Sequence, residues 1–290
     1  MAAEFSASQS YPRLRAIDIR PVDTGSQGPG YMLRDPLRLA DNYLVVPQAF
    51  APLLMMLDGT NTRGDLATLL AAQLGAVSGP ALLDELLGAL DEALLLDSPR
   101  FRAARAEITN AYRGAPYRAP ALAGLSYPER ADELGTLFDD LLWEAGDVEQ
   151  SPAGSRALLS PHIDYERGGQ VYAQVWKSAA SAVCEAECVI VLATDHHSPE
   201  QITLTRQNYA TPFGVLPTER AIVDMLAESY GASDAFAGEL YHRHEHSIEL
   251  VLTWLQHMRR GKACPVVPIL CGSFYSFVRG GTDPANHRQL

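Results

Sequence analysis

Two uninterrupted apolar runs decide the fold class of this chain. Cys188 to Thr194 (CVIVLAT) and Pro265 to Cys271 (PVVPILC) have strand length and no polar alternation. Runs of this kind are expected to be buried on both faces, as strands of parallel sheets are. Around them lie helix-period patterns: Glu129 to Glu144, a helix opened by Gly168-Gly169 and reaching about Val183, Thr218 to Tyr230, and His246 to Arg259. Gln201 to Arg206 alternates like a strand, and Arg156 to His162 ends in one. Strands alternating with helices predict an α/β sheet with crossover connections over residues 121–290.

The first part of the chain is organised differently. Residues 1–42 read as an irregular arm, frequent in Ser, Gly and Pro. Tyr43 to Val46 is a short strand-like run, and Gln48 to Leu57 is an apolar helix stopped by Asp58-Gly59. Asp65 to Leu74 is a second helix, with Gly75 suited to a left-handed cap. Leu82, Leu83, Leu86, Leu87, Leu90 and Leu94 form one helical face, and Leu94 to Leu96 suggests a closing strand. The expectation is a small helical domain over 43–101. A linker follows at 102–120, where Arg and Pro replace Leu.

Composition narrows the function classes. Lys and Arg total 23 against 35 Asp and Glu, a net charge of −12. With no compensating basic block, nucleic acid and anionic membrane surfaces are not expected partners. No window approaches the apolar length of a membrane span, and the first residues lack the apolar core of a signal peptide. Only four cysteines occur (Cys184, Cys188, Cys264, Cys271), without a second pair to complete a zinc ribbon. Reduced thiols in a cytoplasmic protein are the expectation.

Seven of the eight histidines lie between 162 and 257. His162, His196 and His197 stand where apolar runs give way to polar residues, and in open α/β sheets ligands bind at the carboxyl ends of strands. Neutral imidazole ligates Fe, Zn and Cu well. In an extended His162-Ile163-Asp164, alternate side chains share a face, so Asp164 can join His162 and His196 in a two-histidine, one-carboxylate set. Alternatively, Asp164 caps a turn. Further on, His246 and Glu249 fall one helical turn apart. A carboxylate that orients an imidazole suits general acid/base work; alternatively, Glu249 caps the helix. His197 is a further acid/base candidate, whereas His242 and His244 precede the helix and carry little weight.

These residues carry a family resemblance. AGLSYP (123–128), PHIDYERGG (161–169), VLATDHHSP (191–199), NYATPFGVLPTER (208–220), RHEHSIE (243–249) and VPILCGSF (267–274) occur in this order. The segment is similar to the Memo family, in its bacterial branch often called AmmeMemoRadiSam system protein B. The resemblance implies a three-layer α/β/α fold like that of class III extradiol dioxygenases. It also implies a divalent metal at the strand ends, Fe(II) first and Zn or Cu next. His162 and His196 stand at the family's metal-ligand positions, and His246 and Glu249 match its pocket-lining EHSIE segment. Asp195 stands where many relatives have Ser. The family also carries a later SDFxH-type motif and a later cysteine, and neither is found before Leu290. Cys271, on the preceding strand, does not take over the ligand role of that cysteine. The expectation is that this chain holds the N-terminal portion of the Memo domain or has lost half of its site. A sheet edge left uncovered would be an aggregation liability.

Residues 43–101 resemble the PqqD-like family of winged-helix-type domains, on the helix closing at LeuAspGly (57–59), the DLATLLAAQLG helix and the EALLLD ending. That resemblance implies a peptide or radical-enzyme partner. The acidic third helix argues against DNA. Two functions follow as expectations. One is a non-haem iron, dioxygenase-like oxidoreductase; the other is a non-catalytic binding or adaptor protein. Zinc hydrolysis ranks below both, since no HExxH spacing is present.

Overall fold

The computed structural model describes residues 11–25, 28–40, 43–74, 79–281 and 283. The chain divides into two compact units, Met1–Ala111 and Tyr112–Leu290.

The first unit carries regular structure from residue 18 onward. β1 (Asp18–Asp23) and β2 (Pro29–Arg34) form an antiparallel hairpin, and β3 (Leu44–Pro47) pairs with β2. This corrects the expectation of an irregular arm over 1–42 for residues 18–34; residues 1–10 lie outside the described set. No residue of β1 is buried, and Arg20, Pro21 and Asp23 interrupt it, so no apolar run marks the hairpin. α1 (Ala51–Met56), α2 (Arg63–Leu74) and α3 (Gly79–Glu92) follow. α2 starts in a capping box: Asp65 N–H donates to Thr62 Oγ1 and Thr62 N–H donates to the Asp65 carboxylate. The leucine face of α3 packs on Leu53, Leu66 and Leu70 as a core of its own. Leu94 to Leu96 forms only an isolated bridge, between Leu96 and Leu14. Gly75 lies outside the described residues.

The expected linker is largely α4 (Pro99–Gly114), opened by Ser98, whose Oγ accepts from Phe101 N–H. Its Arg and Ala residues are good helix formers that bury little, so a polar composition is compatible with helix here.

The second unit is mixed α/β. Its elements are α5 (Ala131–Glu144), α6 (Tyr165–Ser178), α7 (Ala180–Glu185), β4 (Val189–Thr194), β5 (Ile202–Leu204), β6 (Tyr209–Thr211), β7 (Gly214–Leu216), α8 (Arg220–Tyr230), α9 (Ala232–Ala235), α10 (Ser247–Met258), β8 (Val266–Cys271) and α11 (Tyr275–Gly280). β4 runs parallel to β8, and β5 pairs antiparallel to β8, in the order β4-β8-β5. β8 is buried on both faces, as its run requires. β4 is not: Ile190 and Leu192 are 57% and 71% exposed. It is an edge strand among the described residues, and only alternate side chains reach the core. β6 and β7 form a separate hairpin.

Two further expectations change. Residues 156–162 form no strand: Pro161 lacks a backbone donor, and no neighbouring strand pairs with the segment. Gly168-Gly169 lies inside α6, which starts earlier because Asp164 caps it, its Oδ1 accepting from Arg167 N–H. The tail is helical through Gly280 (α11); residues 284–290 lie outside the described set. No helix among the described residues is long and apolar enough to cross a membrane.

The core of this unit is aromatic. Phe138 of α5 stacks on Trp254 of α10 at 4.1 Å, and Tyr172 of α6 stacks on the same indole at 5.8 Å. These contacts seat α5, α6 and α10 around one centre and set where the N-terminal ends of α6 and α10 emerge.

Candidate functional site

Three imidazoles meet at that end of the fold. His162 precedes the Asp164 cap of α6, His196 follows β4 by two residues, and His246 is the residue before α10. The ring centroids of His196 and His246 are 4.6 Å apart with planes 18° from parallel. His162 lies 5.2 Å from His196 and 5.9 Å from His246. One ring nitrogen from each of the three lies within 4.8 Å of the others. Burial, and then the two neighbouring imidazoles, hold the His162 pKa below the ordinary histidine value.

Backbone turns produce this convergence. Asp195 Oδ1 accepts from the N–H groups of His197 and Ser198, which bends the chain directly after β4. Asp195 N–H donates to Cys271 O, so the bend stays attached to β8. Ser247 Oγ donates to Thr194 O at 2.7 Å, joining the start of α10 to the end of β4. Burial pushes the Asp195 carboxyl up.

Glu245 sits behind the pair of stacked rings and is buried. Its Oε1 accepts from the N–H groups of His246 (2.7 Å) and Ser247 (3.0 Å), and its Oε2 accepts from His196 N–H (3.1 Å). Nδ1 of His196 and Nδ1 of His246 each lie 3.0 Å from Oε1. Burial alone would raise this carboxyl, but the hydrogen bonds from His246 and the amides outweigh it and hold the pKa well below the usual range.

Several expected roles are redistributed. Asp164 does not join the imidazoles: it caps α6, and its Oδ2 accepts from Arg167 Nε at 2.7 Å. Glu249 does not face His246. It is fully buried, receives the Arg118 guanidinium, and accepts from the N–H groups of Ala121 (2.8 Å) and Leu122 (2.9 Å) and from the Tyr127 hydroxyl. With those donors on it, the carboxylate is turned away from the imidazoles, and Glu245 takes the place expected for Glu249. His197 stays exposed, its ring 6.4 Å from that of His196. His242 is buried: Nε2 donates to Thr203 O at 3.1 Å and Nδ1 accepts from the Tyr209 hydroxyl. Cys271 is half-buried at the end of β8, and burial, with Asp195 nearby, pushes its thiol up.

Glu245 and Arg118 are the residues that sequence reasoning passes over. Arg118 is fully buried: its Nε donates to His242 O (2.9 Å) and its Nη2 donates to Glu245 O (2.8 Å), which fixes the turn that carries the carboxylate. For Glu245 the available signal is the His-Glu-His order at 244–246. For Arg118, one arginine in an Arg/Pro-rich stretch, no local signal exists.

Three imidazoles, two of them oriented by a carboxylate, fit a first-row transition metal and suit Ca²⁺ or Mg²⁺ poorly, since those take oxygen ligands.

Comparison with known proteins places these residues in a family. A family model described as "Memo-like protein" matches residues 118–276. A MEMO1 family protein of Aquifex aeolicus is 25% identical over 248 residues, covering 85% of this chain and 63% of the relative. One from Methanosarcina mazei is 29% identical over 156 residues, 53% of this chain and 54% of the relative. One from Thermotoga maritima is 32% identical over 151 residues, 48% of this chain and 53% of the relative. The chain thus spans about half to 63% of the length of these relatives. The matched segment covers more than half of the chain and includes all three clustered imidazoles, and on that match the chain belongs to the Memo-like protein family.

Proposed function

We propose that the Memo-like part of this chain binds a divalent transition metal through His162, His196 and His246 and serves a dioxygenase-like oxidoreductase of the non-haem iron type. The observation that carries this reading is the approach of one nitrogen from each ring to within 4.8 Å. Iron is the first choice, with zinc or copper as the alternatives that imidazole also suits. The metal would supply a Lewis-acidic, redox-capable centre with coordination positions left open by three protein ligands. The chain's own residues orient the ligands: Glu245 holds two of the rings, and the Asp195 turn aims His196. A three-layer α/β/α arrangement similar to class III extradiol dioxygenases belongs to the same proposal. So does any activity of the longer relatives.

The test is metal analysis of anaerobically purified protein beside His162→Ala, His196→Ala and His246→Ala. Each substitution is expected to lower the bound metal. Equal metal in all four proteins overturns the reading.

A second reading is supported by the separate core of the first unit. In it, the PqqD-like segment 43–101 holds a peptide or radical-enzyme partner and the chain is an adaptor. Deleting residues 43–101 without weakening capture of such an enzyme would sink it.

A further inference from the structure

We propose that Glu245 is a positioning residue that keeps His196 and His246 both in the Nδ1–H tautomer, so that each presents Nε2 to the cation. The presentation clause rests on the metal-binding reading above; the tautomer clause does not.

The geometry leaves little freedom. Three backbone N–H groups, those of His196, His246 and Ser247, point at the two carboxylate oxygens of Glu245. Nδ1 of His196 and Nδ1 of His246 approach the same oxygens at 3.0 to 3.1 Å. A protonated carboxyl would set an O–H against one of these donors, so the group is the carboxylate, which only accepts. For His196 the approach is a hydrogen bond and for His246 a 3.0 Å ion-pair contact; facing a group that only accepts, each Nδ1 holds its proton, and in a neutral imidazole the lone pair is then on Nε2. A metal cannot take Nδ1 of either ring without displacing its contact with Glu245. One carboxylate thus sets the ligating atom of two residues on different segments, His196 after β4 and His246 before α10. The stacking of the two rings at 18° agrees with a shared anchor. Arg118 holds the Glu245 backbone from behind, and Ser247 pins the next residue but one to β4. His162 lies outside this arrangement, and its tautomer is not set by Glu245.

The test uses the full chain, metal-free, in long-range ¹H–¹⁵N spectra at mildly alkaline pH, where free imidazole is neutral. His196 and His246 are expected to show the Nδ1–H pattern. Cobalt(II) titration followed by absorption gives affinity separately. In Glu245→Gln, the amide offers one acceptor and one donor, so at least one ring is expected to move its proton to Nε2. Cobalt(II) affinity should then drop by roughly 10- to 100-fold. His162→Ala should lose affinity while leaving both tautomers unchanged, which a merely structural role for Glu245 would not separate. An Nε2–H pattern on either ring of the wild type overturns the proposal, and so does unchanged affinity and tautomer in Glu245→Gln. A wild type that shows both Nδ1–H patterns but takes no cobalt(II) supports the tautomer clause and overturns the metal reading with its presentation clause.

Discussion

Arg118 and Glu249 form a buried ion pair across 131 positions of chain, with side-chain exposures of 1% and 0%. Removing one partner leaves the other charge without compensation in the interior. Arg118→Ala and Glu249→Ala are each expected to lose about 3–5 kcal/mol of stability. Replacing both by apolar residues, Arg118→Met with Glu249→Leu, should return part of that loss. Urea midpoints decide it, and singles within about 0.5 kcal/mol of wild type would contradict the burial argument.

Acid should weaken the fold through His242. Burial holds its pKa at about 3, below the ordinary value of 6.5. Between those values the unfolded chain binds the proton and the folded chain does not. Stability from this residue is therefore complete above about pH 6.5 and declines as pH falls toward 3. His242→Gln keeps a donor for Thr203 O but does not titrate. Its stability should fall less steeply over that window in denaturant melts run at several pH values. Parallel curves for the two proteins would refute the assignment.

Asp164 distinguishes a cap from a ligand. Asp164→Ala is expected to lose about 1 kcal/mol, the usual value of an N-cap, through α6. Metal content should stay at the wild-type level. A drop like that of His162→Ala would return Asp164 to the ligand set.

Gly272 marks a close approach just after β8. A Cβ there would stand 1.9 Å from Glu200 O, a backbone atom with little room to move. Gly272 N–H also donates to Gln201 O at 2.8 Å, so the two segments are tied. Gly272→Ala is expected to destabilise the fold by roughly 1–3 kcal/mol, the usual cost of overpacking, and so to lower the melting temperature. An unchanged melting curve would show that the segments can separate freely.

The elements that follow a one-dimensional pattern are readable in the sequence. The runs at Cys188 and Pro265 mark β4 and β8, and the leucine face at 82–94 marks α3. His162 and His196 draw notice because they sit at the ends of apolar stretches. What the sequence hides depends on neighbours far along the chain. The β1–β2 hairpin has no apolar run, because β1 buries no residue and β2 buries only Gly30 and Leu33. A carboxylate at 245 or 249 can equally face His246, and the choice falls to Arg118, Ala121, Leu122 and Tyr127, which lie more than 100 positions upstream of Glu249. Local spacing carries no trace of such donors.

The absence of a ladder at 156–162 has a consequence for the three imidazoles. His196 and His246 ride on segments locked by β8, by Ser247 and by a shared carboxylate. His162 rides on a stretch held by single side-chain bonds, Trp176 Nε1 to Ser160 Oγ and the Tyr172 hydroxyl to Ile163 O. Local opening there needs less free energy than unfolding of the sheet. Amide hydrogen exchange should therefore be faster around His162 than around His196, and a cluster of three would become a cluster of two by fluctuation of that one stretch.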